Sequence, residues 1–430
     1  MIFKTHKAKK LSVTNLLNYL FIFLPLTLVT GPFLSDLSIS ILAVYFFFLK
    51  EKKYRYNYFT ILFLVFCLLI LTSTLTSNFT KLSLQSSLFY FRFGFYSVVV
   101  WYLIENNKNI LNFFFLIIII ILLALYLDSL LQYATGFNIF KMKIIETGRI
   151  SSFFGDELKM GSFVLRVFPI FIALCFFYYK DKNKKLINLI LFYILYTFFI
   201  IYLSGERTSF FLFSLFIFLL IIFLNNFRKE KIKLCLFYFF ITCLLVISDN
   251  PYKKRLIDLT INQVKNKSSD SFYIFSRQHN EHYISSYKIF KDNKITGIGP
   301  KNFRNVCKEE KYNISELTCS THPHNTYLQL LSETGLPGFM FIFIIFFYIL
   351  ALLTKNLYLK IFKQKPFLNN FQISLFIAIL ISLWPLTPSG NFFNNWNSII
   401  YYMPVGLLLW SFRNKKNFII SKNIDKLSIN

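Results

Sequence analysis

The chain has 430 residues, of which 55% are hydrophobic, 57 are Phe and only 16% are charged. Its apolar stretches repeatedly approach the roughly 20 residues that cross a bilayer core, which excludes an ordinary water-soluble domain. The net charge of +27 does not indicate nucleic acid, because more than half of the 47 Lys and Arg cluster at the termini and in every second short loop.

In chain order, apolar runs bounded by charge or turn residues fall near 13–31, 33–49, 58–77, 86–104, 110–131, 161–179, 186–203, 208–224, 234–248, 336–354, 369–385 and 397–412. They predict an all-α polytopic membrane protein with about twelve transmembrane helices. The first run follows a basic start, as a signal peptide would. It lacks a small-residue cleavage site and leads directly into a second run, so it reads as an uncleaved helix. Pro25, Gly31 and Pro32 are expected to bend or end this first pair.

The basic clusters are Lys4 to Lys10, Lys50 to Arg55, Lys108, Lys180 to Lys185, Arg228 to Lys233, Lys355 to Lys365 and Arg413 to Lys426. Under the positive-inside rule they mark the cytoplasmic face, with both termini inside and an even number of spans. The opposite face then holds two larger segments, Gln132 to Met160 and Asp249 to about Gly335. The expected organisation is transmembrane helices 1–9 within 1–248, including a periplasmic loop at 132–160. A large, partly helical periplasmic loop follows at 249–335, between helices 9 and 10, and helices 10–12 with a cytoplasmic tail occupy 336–430. In the large loop, Tyr283, Tyr287 and Phe290 are spaced as one helix stripe, expected to pack on the bundle or lie on the membrane surface.

Cys67, Cys175, Cys235 and Cys243 lie in apolar runs and read as small hydrophobes. Cys307 and Cys319 lie in the large loop, where an oxidising compartment favours a disulfide worth about 3 kcal/mol for a loop of that size. Zinc shared with His322 and His324, and two unpaired thiols, are the other readings. The Cys-x11-Cys-x2-His-x-His spacing is not a usual zinc pattern.

Three arginines interrupt apolar sequence: Arg92, Arg166 and Arg207. An arginine in hydrocarbon costs at least a few kcal/mol unless it meets a partner or a polar cavity, so each is a site candidate. Arg207, at a turn beside Gly205, is placed to bind phosphate with its planar fork, or else to pair with Glu206. In the large loop, Arg277 supplies a further cation and the Thr-His-Pro-His-Asn segment a base able to work near neutrality. His324 precedes a short amphipathic helix that would fix it. His322, followed by Pro323, reads as more exposed, and His279 and His282 read as solvated.

The succession Ser204-Gly205-Glu206-Arg207, Ser276-Arg277, Gly297-Ile298-Gly299-Pro300-Lys301-Asn302-Phe303, His324-Asn325-Thr326-Tyr327-Leu328 and Glu333-Thr334-Gly335-Leu336-Pro337-Gly338 resembles the O-antigen ligase and polymerase family of bacterial inner membranes. The resemblance is strongest from about Tyr202 to Phe339. It implies an inverting glycosyltransferase on the periplasmic face, moving a glycan from undecaprenyl diphosphate to lipid A-core (ligase) or to another lipid-linked repeat unit (polymerase). It further implies that Arg207 and Arg277 bind the diphosphate and that His324 deprotonates the acceptor hydroxyl. Arg149 lies in a loop similar to the family's other periplasmic element, and with His322 and Arg166 it is an additional site candidate. Glu206 departs from the family pattern, where a small residue is usual. An acid there is expected to cancel part of the charge of Arg207.

No Asp-x-Asp occurs in the chain, so the arginines are expected to take the part that a divalent ion plays in nucleotide-sugar enzymes, with no cofactor required. The reading from a different class is a lipid-linked sugar transporter or flippase. Such proteins usually show two related halves and a site at the bilayer midplane, whereas here the halves are unlike and the polar residues gather toward one face.

Overall fold

The computed structural model describes residues 13–178, 184–265 and 275–413. The basic clusters at Lys4–Lys10 and beyond Arg413, and part of the one at Lys180–Lys185, lie outside these residues. The fold is all-helical, with no β-strand among the described residues beyond two isolated bridges. We number its longer helices α1 Val13–Ile22, α2 Leu24–Thr30, α3 Pro32–Tyr45, α4 Tyr58–Leu75, α5 Thr80–Ser87, α6 Phe91–Asn106, α7 Asn109–Thr135, α8 Met160–Tyr178, α9 Lys184–Leu203, α10 Arg207–Phe223, α11 Arg228–Ile247, α12 Arg277–Asp292, α13 Thr326–Phe362, α14 Asn370–Ser382 and α15 Asn395–Arg413.

Each of the twelve apolar runs coincides with a helix or a helix pair. Five of the helices described are long and apolar enough to cross a bilayer (α4, α5 continuing into α6, α7, α8 and α13), or six if the bent pair α1 and α2 counts as one span. The expected twelve therefore exceeds what helix length and composition support. The physical reason is that several runs form shorter helices: α3, α10, α14 and the apolar part of α9 fall below 18 residues. The first pair bends by 56° near Pro25, where a proline has no N–H to continue the ladder.

Local chemistry sets the ends of these helices. Asn57 caps α4 by accepting from Thr60 N at 3.0 Å. Ser276 caps α12 through His279 N, and Asn325 caps α13 through Tyr327 N and Leu328 N at 3.0 and 3.1 Å. Asn369 and Gln372 form a reciprocal capping box at α14. Gly136 closes α7 with φ of 79°.

Helix α8 is central, with 83% of its apolar window buried against α7, α9, α10 and α14, whereas only 28% of the corresponding window of α13 is buried. The exposed large side chains of α4 (Ile61, Leu62, Leu68), α7 (Phe113, Leu116, Ile120) and α13 (Ile344, Phe347, Tyr348) form outward apolar faces that suit lipid rather than water. Helix α13 is broken at Gly335, where φ is 68°. A Cβ there would lie 2.2 Å from the carbonyl oxygen of Ile295, so only glycine lets the 294–297 strand of backbone approach this closely.

The buried face of α12 is His282, Ser285, Ser286 and Ile289. The expected stripe of Tyr283, Tyr287 and Phe290 is not the packing face, and Tyr287 is exposed beneath the Lys291 ammonium. Small serines win that position because Ser286 reaches Leu328 O at 2.8 Å and Ser332 Oγ at 3.0 Å on α13. Segment 297–303 is anchored to the bundle by hydrogen bonds. Asn302 Nδ2 donates to Ser77 and Ser83 hydroxyls at 2.6 and 2.9 Å, while Ile298 N and Gly299 N donate to Ser332 O and Glu333 O. Cys307 and Cys319 are joined by a disulfide with Cα atoms 5.5 Å apart.

Candidate active site

Four histidines converge where α12 meets the loop before α13. The ring of His324 lies with centroid distances of 4.0 Å to His322, 5.3 Å to His282 and 5.5 Å to His279. His279 and His282 are not solvated as their loop-like context suggested. They sit on α12, and His282 is 1% exposed. His322 is also buried, more so than His324, because Ser389 O draws its Nε2 inward at 3.2 Å. That carbonyl only accepts, so Nε2 carries the proton and Nδ1 accepts from Thr321 Oγ1 at 2.9 Å.

His324 holds a left-handed backbone, φ 55°, which costs a non-glycine residue strain unless its surroundings fix it. Ser389 N donates to His324 O at 2.8 Å, and Asn325 Nδ2 donates to Pro385 O at 2.9 Å, so the 383–391 loop fixes it. Thr326 and Ser389 hydroxyls meet at 2.9 Å. Gln329 extends the brace, donating to Glu333 and Asn391 and accepting from Phe392 N. The imidazole of His324 is thereby positioned while its own nitrogens bond to no protein group among the described residues.

Burial, together with the other histidines, lowers the pKa of His324 to about 3. Burial first and then His282 and Arg207 take His279 to about 4, and burial takes His322 to about 4 against the opposing pull of Ser389. His282 is lowered in the same direction, again chiefly by burial. All four rings are neutral at ordinary pH, the form a general base requires.

The charge of Arg207 on His279 marks the second half of the site. Arg207 opens α10 and donates to Gln263 Oε1 at 2.6 Å. Burial, then Arg255 and Arg149, push its pKa down, and Glu146 opposes them. Arg149 pairs with Glu146 at 3.2 Å, Arg255 with the same carboxylate, and Arg255 Nε donates to Gly205 O at 3.2 Å. Two guanidiniums thus pair with one carboxylate, and Arg207 lies near enough to feel the charges of all three groups. Gly205, at φ 62°, is the hub, since a Cβ would meet Gly148 O at 2.2 Å and the side chains of Arg149 and Arg255 at 3.0 Å. Arg255 was not singled out in the sequence, where it is one of three cations in Tyr-Lys-Lys-Arg. It sits in a π-helical turn, Lys254–Asp258, a feature frequent at functional sites.

Glu206 does not neutralise Arg207. Its carboxylate turns to the start of α8 and accepts from Gly161 N at 2.7 Å, Ser162 N at 2.9 Å and Ser209 Oγ at 2.9 Å. Arg277 stands apart from the arginine group. It is 64% exposed and pairs with Glu281 at 3.0 Å, a carboxylate also held by Ser315 and Thr318. Arg92 is spent on Asp36 at 2.9 Å. Arg166 binds the hydroxyl and carbonyl of Ser162 at 3.0 Å and faces the Tyr401 ring, one turn below the Glu206 contact. Among the described residues no three His, Cys, Asp or Glu side chains group as metal ligands would.

Residues 192–343 match the family model described as O-antigen ligase. That segment, about a third of the chain, is similar to the O-antigen ligase family. The matched third of the chain contains Arg207, Arg255, Arg277 and all four clustered histidines, and leaves out Arg149, Glu146 and Ser389. No curated protein matches the chain. The match and the apolar helices together support a membrane protein similar to glycosyltransferases.

Proposed function

We propose that this protein is an O-antigen ligase of a bacterial inner membrane, transferring a glycan from undecaprenyl diphosphate to lipid A-core on the periplasmic side without a metal. The observation that carries this reading is the junction of a neutral histidine cluster with three neighbouring arginines, two of which are paired with Glu146. Arg149, Arg207 and Arg255 repel one another, and a diphosphate relieves that repulsion as it binds. Arg277, at the rim, adds a fourth contact once an anion competes with Glu281 for it.

His324 takes the proton of the acceptor hydroxyl as that oxygen bonds to the anomeric carbon. The bond from this carbon to the diphosphate oxygen breaks, and undecaprenyl diphosphate leaves with the electron pair, inverting the configuration. The bound diphosphate raises the proton affinity of His324 from its low resting value, because a nearby negative charge favours the imidazolium.

The test is His324→Ala in a strain lacking the native gene, with the variant's folding and membrane abundance checked. The expected result is uncapped lipid A-core with lipid-linked donor accumulating on the outer leaflet. Core capped by a single repeat would instead identify a polymerase, and donor held on the inner leaflet a transporter.

A further inference from the structure

The far end of α10 carries a second cationic arrangement that plays no part in glycosyl transfer. Leu224, which ends α10, is separated from Arg207 by about 25 Å of helix axis. Its carbonyl oxygen accepts from two ammonium groups at once, Lys231 Nζ at 2.6 Å and Lys360 Nζ at 2.7 Å. Among the described residues no carboxylate forms a salt bridge with either lysine. The flanking sequence is one-sided as well: Arg228, Lys229 and Lys233 accompany Lys231 with the single acid Glu230, and Lys355, Lys363 and Lys365 accompany Lys360 with no acid.

Helix capping explains only part of this. A helix C-terminus carries about half a negative charge, so the ends of α10 and α13 together offset roughly one of the two ammonium charges. Burial and the neighbouring Lys360 lower the Lys231 pKa to about 7, and an external anion beside the pair would favour its charged form. Beside the two lysines opens a narrow apolar groove between α8, α9, α10 and α11. Ile172, Phe176, Ile190, Ile194 and Leu220 form its apolar wall, and Glu230 and Lys231 stand at the mouth. A charged rim over an apolar slot at the end of membrane helices matches one chemistry, a phosphate head with a hydrocarbon tail.

We propose that this cleft binds one anionic phospholipid of the leaflet on the basic side of the protein, with its phosphate on Lys231 and Lys360 and an acyl chain along the Ile172–Ile194 wall. The lipid joins α10, α11 and α13 by a charge contact that the protein alone leaves open.

The test uses the purified full-length protein in detergent, reading the thermal unfolding midpoint against added phosphatidylglycerol, phosphatidylcholine or inorganic phosphate. Phosphatidylglycerol is expected to raise the midpoint, while the other two leave it unchanged. Lys231→Gln with Lys360→Gln should weaken phosphatidylglycerol binding at least tenfold, with the lipid-free midpoint and glycosyl transfer kept. Should the double variant fail to fold, Ile194→Trp fills the slot with both lysines intact, and it too should abolish the shift. An equal response to phosphatidylcholine or to phosphate alone, or a shift that survives both variants, overturns the proposal.

Discussion

At the scale of single residues, the histidine cluster makes the fold acid-sensitive. In the unfolded chain these rings titrate near pH 6.5, whereas folding lowers His279 and His322 to about 4 and His324 to about 3. Between those values the unfolded state binds more protons, so stability is complete above pH 6.5 and is lost as pH falls toward 4. Unfolding midpoints measured from pH 7.5 to 4.5 should fall, and His279→Gln should flatten the slope. The same depression places the acid limb of kcat/KM below pH 6.5, and a limb centred at or above that value would contradict His324 as base. Among the arginines, Arg255→Ala should lower kcat/KM at least tenfold, since a charge-assisted contact contributes about 1.5–3 kcal/mol. Arg92→Ala, which breaks the Asp36 pair, should alter stability and leave turnover in place.

At the scale of elements, the turn before α10 decides whether the arginines meet. Gly205→Ala would push a methyl group into Gly148 O and against Arg149 and Arg255, so loss of turnover with retained helical content is the expected outcome by circular dichroism and activity. Glu206→Gln removes the charge at the start of α8 and should cost about 1 kcal/mol in unfolding experiments. The sequence displayed Arg207 and His324 because a cation in an apolar run and a histidine before a cap are local signals. Arg255 and the histidines of α12 were illegible for the opposite reason. Their neighbours come from loops about 40 to more than 100 residues away, and periodicity carries no information about such contacts. Glu206 shows the same limit, since nothing next to it in the chain reveals that Gly161 and Ser162 take up its charge.

At the scale of the whole molecule, the apolar runs were all visible and each became a helix or helix pair, while five or six of the described helices have the length and composition of a span, because an apolar run does not fix the length of the helix it forms. The Phe-rich composition sets where the chain resides, and the contacts among loops set what it does. A chelator should leave glycosyl transfer intact if the arginines alone neutralise the leaving group. Activity abolished by chelation and restored by magnesium or manganese would contradict that reading.

The bracing of His324 by Ser389 has a consequence for how the protein divides. Ser389 belongs to the loop between α14 and α15, and Arg149 and Glu146 to the loop between α7 and α8. The matched segment at 192–343 therefore holds the groups proposed to react without the loops that brace them. It is not a portable catalytic module, and grafting it onto another set of helices would transplant chemistry without alignment. Evolutionary exchange in such a protein has to move the bracing loops with the segment they hold in register.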